Sequence, residues 1–154
     1  MATQYSISTG AMTYVATTAK TAIELPSSAS AGITVIGMEL MFGMAAASSA
    51  LVEWGTYTAT STGTTVTPLK YGTGQGVAMN SGTVKVNCTV EPTVFTVGTL
   101  PSWRIPLPGM YSILYPQGRE FFQPASVNRA LRITMAAVGT APGNEVRVNL
   151  YVEQ

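Results

Sequence analysis

Residues 83–90, TVKVNCTV, alternate with a period of two. Val84, Val86, Cys88 and Val90 fall on one side of an extended chain, and Thr83, Lys85, Asn87 and Thr89 on the other. Successive strand side chains point to opposite faces, so the segment reads as a half-buried β-strand with its apolar side inward. The same alternation closes the chain: Val146, Val148, Leu150 and Val152 read as inward, Glu145, Arg147, Asn149 and Tyr151 as outward. A chain built from such segments has few options. Its strands must pair into sheets, and the sheets must cover each other's apolar faces.

The rest of the chain fits that rule. Residues 12–18 and 21–25 are strand candidates. Residues 33–43 form a longer one, with Ile36, Met38, Leu40 and Phe42 on one face and Ile33, Val35, Glu39 and Met41 on the other, so that both faces are largely covered. Residues 50–58 alternate again, Trp54 lying with Val52 and Thr56. A second strand, 93–98, follows the Glu91-Pro92 corner. LPSWRIPLPG is extended but punctuated by proline, which confines it to an edge or a bent strand. Residues 110–126 read as a strand, a Pro-Gln-Gly turn and a short aromatic segment. In 125–138, Leu131, Ile133 and Met135 alternate with Arg132 and Thr134, a strand pattern. Residues 59–82 are mostly Thr, Ser and Gly, a long loop of the kind that often carries function. The expected fold is all-β: a two-sheet antiparallel sandwich of eight to ten strands, read as a jelly roll. An immunoglobulin-like Greek key is the second option. Residues 1–20 are an N-terminal arm or first strand, and 21–154 a single sandwich domain.

The residue inventory removes most chemistry. The chain has no His and no Asp, which excludes a Ser-His-Asp triad, an HExxH zinc site and an Asp-rich calcium loop. Cys88 is the single cysteine, on an apolar face with no histidine to activate it, and reads as a small buried hydrophobe. Glu39 and Glu53 are the one carboxylate pair on neighbouring candidate strands, and pairing with Arg or Lys is the better reading of each. YGTGQG lacks the Gly-Lys-Ser/Thr ending of a phosphate loop. No enzyme activity, cofactor or metal is expected. The eight basic residues are dispersed and the net charge is +1, so no nucleic-acid partner is expected. The most apolar run, ITVIGMELMFGMAAA, contains Glu39 and is shorter than the roughly 20 residues that span a bilayer. The first residues lack a secretory pattern. These features predict a soluble protein made in the cytoplasm without a membrane partner.

Charged residues make up only 10% of the chain, against about 25% in a typical soluble domain. So low a charge favours a surface covered by other copies or by a partner. Aromatic residues and Arg are enriched at such interfaces. The contact candidates are Tyr5 and Tyr14 near the start, Leu69 and Tyr71 in the long loop, Trp103 and Arg104, and the adjacent Phe121 and Phe122. In a strand the last two must point opposite ways, so one faces outside the core. The same aromatics are also candidates for a sugar-binding face.

The order of segments resembles a known group. An Ala/Thr-rich start leads to ITVIGMELMFG, then to the Trp-bearing ALVEWGTYTATSTGTT and TPLKY. A later EPTV leads to WRIPLPG, and the chain ends in VNLYVEQ. From about Ile33 to Glu153 this is similar to the head decoration, or cement, proteins of tailed bacteriophages with a jelly-roll fold. The resemblance implies a homotrimer on the capsid surface of the virion that clamps the major capsid protein. A carbohydrate- or receptor-binding fibre module and a single-jelly-roll capsid shell subunit are the alternatives.

Overall fold

The computed structural model describes residues 2–13, 18–43, 49–71, 76, 79, 82–93, 95–135 and 145–154. In chain order its strands are β1 (Gln4–Ser8), β2 (Met12–Thr13), β3 (Lys20–Leu25), β4 (Ile33–Gly43), β5 (Ser49–Thr56), β6 (Thr62–Thr65) and β7 (Leu69–Lys70). There follow β8 (Lys85–Val90), β9 (Ser102–Pro106), β10 (Gly109–Leu114), β11 (Phe121–Gln123), β12 (Arg129–Met135) and β13 (Glu145–Glu153). All pairings between strands are antiparallel.

Eight strands carry the architecture, in nested pairs: β1 with β13, β3 with β12, β4 with β10, and β5 with β9. This is one long hairpin rolled up on itself. The cross-pairs β4·β13 and β5·β12 close the roll into two sheets. The first has the order β10-β4-β13-β1-β7, with β11 also on β4 and β2 also on β13. The second has the order β6-β8-β3-β12-β5-β9. Nested pairing of this kind is a jelly-roll sandwich. Among the described residues there are thirteen strands where eight to ten were expected, because β2, β7 and β11 are only two or three residues long.

The core lies between the sheets. Trp54, Leu131, Ile133, Val52 and Ile23 come from the second sheet, and Met38, Leu40, Val148, Leu150 and Ile7 from the first; all are buried. The start of the chain joins this core through β1, whose Tyr5 and Ile7 are buried opposite Val152 and Leu150.

Simple alternation fails at two bulges. In β4, Met38, Leu40 and Phe42 point inward, yet Ile33 and Val35 are also fully buried. Tyr151 faces Gly37 and Val152 faces Val35, so Ile36 is an extra residue on β4. A bulge flips the facing of everything before it. In β8, Asn87 has φ +49, and the register against β6 shifts nearby. Val84 and Val86 stay in the core, but Cys88 leaves it for a polar pocket and Val90 is 58% exposed. The described residues of 93–98 hold no strand: Thr93 and Thr96 make isolated bridges to Ala59 and Thr56. The loop expected over 59–82 contains β6 and β7 as added edge strands.

Candidate interaction face

The two sheets differ on their outer sides. On the second sheet the outer side is covered by the chain's own segments. Phe95 lies over Gly55, and the Arg132 guanidinium stacks on the Phe95 ring at 3.9 Å while pairing with Glu53 at 3.2 Å. Beside them Glu24, Tyr57, Ser61 and Cys88 are buried together. The Ser61 amide donates to Glu24 Oε1 at 2.7 Å, its hydroxyl donates to Cys88 Sγ at 2.8 Å, and Lys85 Nζ donates to its carbonyl at 2.6 Å. Burial pushes the Cys88 thiol up to about 11, with Glu24 and Glu91 adding to the rise and the Ser61 hydrogen bond opposing it. Burial likewise raises the Tyr57 phenol, helped by Glu24 and Cys88. A thiol so raised stays protonated at neutral pH and is no nucleophile.

Among the described residues the outer side of the first sheet is open. The pairs Met110–Met41, Ser112–Glu39, Leu114–Gly37 and Phe122–Thr34 fix which side chains share it. Leu114 is 73% exposed, Met110 71% and Phe122 56%, and Met41 is exposed beside them. Across the sheet, Leu69 and the 66%-exposed Tyr71 stand at the β7 edge. Exposed large apolar side chains grouped on one face are a feature common at contact surfaces.

Between the two apolar rows runs a groove of about 540 Å³, lined by Gln4, Ile36, Glu39, Tyr71, Leu114 and Tyr151 among others. Gly37 forms part of it; a Cβ there would lie 2.8 Å from Leu114 Cδ2. Glu39 Oε2 accepts from Tyr151 Oη at 3.0 Å and from Asn149 Nδ2 at 3.2 Å. Burial and the neighbouring Glu39 raise the Tyr151 phenol, so it serves as a donor. The groove offers aromatic faces and one oriented carboxylate. Glu39 and Glu53 lie on the outer sides of opposite sheets, so they cannot flank one scissile bond as a glycosidase pair must. Among the described residues no group of three His, Cys, Asp or Glu is placed to hold a metal. No helix there is long and apolar enough to cross a membrane.

The residues singled out from the sequence scatter. Leu69, Tyr71 and Phe122 reach the bare face. Tyr5, a residue of β1, is buried with the core and also lines the groove. Phe121 turns the other way from Phe122, packs on Trp54 at 5.0 Å between ring centroids, and carries the Arg129 guanidinium at 4.9 Å. Trp103 is half-buried against the core, and the exposed Arg104 donates to Ser49 Oγ at 3.4 Å. Tyr14 lies outside the described residues. Sequence reasoning missed Met41, Met110, Leu114, Glu39 and Tyr151 as a group. The available signal was MYSIL, apolar on both faces in a segment flanked by prolines, as an exposed edge strand would be.

No family model matches the chain, and no curated protein matches it. Among solved structures it is similar to a chain of the cyanophage Pam1 capsid asymmetric unit, with 19% identity over 99% of this chain and 83% of that one, at a TM-score of 0.37. It is similar to the infectious bursal disease virus VP2 subviral particle, with 14% identity over 99% of this chain and 32% of that one, TM-score 0.30. A marine algae virus of the order Picornavirales follows, with 11% identity over 97% and 65%, TM-score 0.28.

Proposed function

We propose that this chain is a virion structural protein: a decoration protein on the capsid surface that binds the major capsid protein and reinforces the shell as a homotrimer. One observation carries the reading, the bare outer side of the first sheet with Met41, Met110, Leu114 and Phe122 exposed in a chain of 10% charge. Such a face costs solubility unless an assembly covers it. The jelly-roll topology, and the resemblance of the segment order to that of cement proteins, support the same reading. The test is co-sedimentation with capsids lacking this protein. Wild-type chain should bind and raise the temperature at which the capsids open; a Leu114→Ser/Phe122→Ser double variant should bind at least tenfold more weakly. Equal binding by both would remove the face from the reading, and no binding by either would remove the function. Binding to the outer surface of closed shells, rather than co-assembly into them, separates a decoration protein from a shell subunit.

The groove favours a second reading, a glycan- or receptor-binding module. Tyr71 and Tyr151 beside Glu39 and Asn149 offer the ring faces and polar groups a sugar uses. Saturable binding of an oligosaccharide, lost on Tyr71→Ala, would support it over the first.

A further inference from the structure

The edges of the two sheets are not treated alike. A free edge presents unpaired N–H and C=O groups, and proteins blunt such edges with charge, proline, bulges or brevity. Four strands end the two sheet orders, and three of them are blunted. β7 is two residues long and carries Lys70. β6 is four residues of Thr and Gly with a register shift against β8. β9 carries Arg104 and ends in Pro106. The fourth, β10, is six residues, GMYSIL, with neither charge nor proline inside it. No charged residue occurs anywhere in 105–118.

The ladder shows which groups β10 leaves free. Leu114 stands opposite Gly37, and the Tyr115 amide donates to the Ile36 carbonyl at 3.0 Å. In an antiparallel pair, alternate residues direct both backbone groups at the partner strand. Tyr111, Ile113 and Tyr115 therefore point theirs at β4, and Met110, Ser112 and Leu114 point theirs away. These three also carry the side chains on the bare face, with Met110 and Leu114 about as exposed as any apolar residue in the chain.

We propose that β10 is a pairing edge and that its occupant is β10 of a second copy, antiparallel about a two-fold axis at Ser112. The segment is self-complementary. Met110 and Leu114 lie two residues either side of Ser112, so the two-fold sets Met110 of each copy beside Leu114 of the other and Ser112 beside Ser112. Two copies of a charged edge would set like charges side by side; this one has none to oppose. The pairing satisfies the free groups of Met110, Ser112 and Leu114 in both copies and joins the two bare faces into one apolar surface. It does not depend on what else the face binds: it joins copies directly, or joins trimers to each other.

Two measurements on the full chain test this. Sedimentation should give the wild type at least twice the mass of a Met110→Lys/Leu114→Lys variant, whose lysines occupy exposed positions and leave the intramolecular ladder intact. Hydrogen exchange on the wild type alone should show slow amides at Met110, Ser112 and Leu114 at high concentration, becoming fast on dilution. Equal masses for the two proteins would overturn the proposal. So would fast exchange of those three amides in the assembled wild type, or slow exchange that does not respond to dilution. Slow exchange only after adding capsid protein would assign the edge to a different chain and equally refute self-pairing.

Discussion

Replacing Gly55 with alanine should destabilise the protein through a residue forty positions away. Gly55 is on β5, facing the covered outer side of the second sheet, with Phe95 lying on it. A Cβ at that position would meet the Phe95 ring, with Cε2 at 2.8 Å and Cε1 and Cζ nearer still. Carbon atoms in contact sit about 3.5–4.0 Å apart, so the ring must move out by about 1 Å or more. That movement breaks its stacking under the Arg132 guanidinium, now at 3.9 Å, an interaction of about 0.5–2 kcal/mol. It also returns part of a half-buried ring to water, at about 25 cal/mol per Å² of apolar surface. The expected cost is about 1–3 kcal/mol, or a fall in melting temperature of several degrees for a domain of this size. Urea unfolding of a double-mutant cycle is the assay. Gly55→Ala should cost its full amount in the wild type and no more than about 0.5 kcal/mol in a Phe95→Ala background. Equal costs in the two backgrounds would refute the argument, because the clash would then not be with Phe95.

Other expectations follow from the same packing. Val86→Ala should cost about 1–3 kcal/mol and Val90→Ala no more than about 0.5, since the first is in the core and the second is exposed beyond the Asn87 bulge; equal losses in chemical denaturation would mean that the register is wrong. Stability should fall at alkaline pH, because folded-state values are raised for Cys88 (from 9.0 to about 11) and Tyr115 (from 10.0 to about 12) and in the same direction for Tyr57. The unfolded chain then loses these protons first, so their contribution is intact below about pH 9 and is lost as pH rises through the folded values. Urea midpoints that stay level from pH 8 to 11.5 would contradict this. The Cys88 thiol should resist alkylation at pH 8 in the native state and react only as fast as the protein opens; prompt labelling of folded protein would show that the pocket is not closed. Tyr57→Phe should be neutral or stabilising in thermal melts, because the buried Tyr57 hydroxyl has no hydrogen-bond partner among the described residues, and a loss above about 1 kcal/mol would reveal one.

What was legible in the sequence was the part governed by period two. β13, β12, β5 and the apolar half of β8 follow simple alternation, and with them come the sandwich and most of its core. The failures sit where one residue is added or a turn conformation intrudes. The extra Ile36 puts Ile33 and Val35 in the core, and Asn87 in the left-handed region turns Cys88 out of it; neither has a composition signal strong enough to read. β6 and β7 look like loop because added edge strands need little apolar surface of their own. The candidate face was legible only in pieces. Strand parity gives that one of Phe121 and Phe122 faces outward, and Tyr71 is legible from its setting among glycines. Glu39, Tyr151, Met110 and Leu114 come together only through the pairing of β10, β4 and β13, which no local pattern encodes.

The central claim is that the bare side of the first sheet is a contact surface in an assembled particle. Cryo-electron microscopy of virions carrying this chain tests it most directly. Ordered density for the sandwich is expected on the outside of the shell, with Met41, Met110, Leu114 and Phe122 covered by a neighbouring chain. Particles without such density, or with this face open to solvent in every copy, would contradict it.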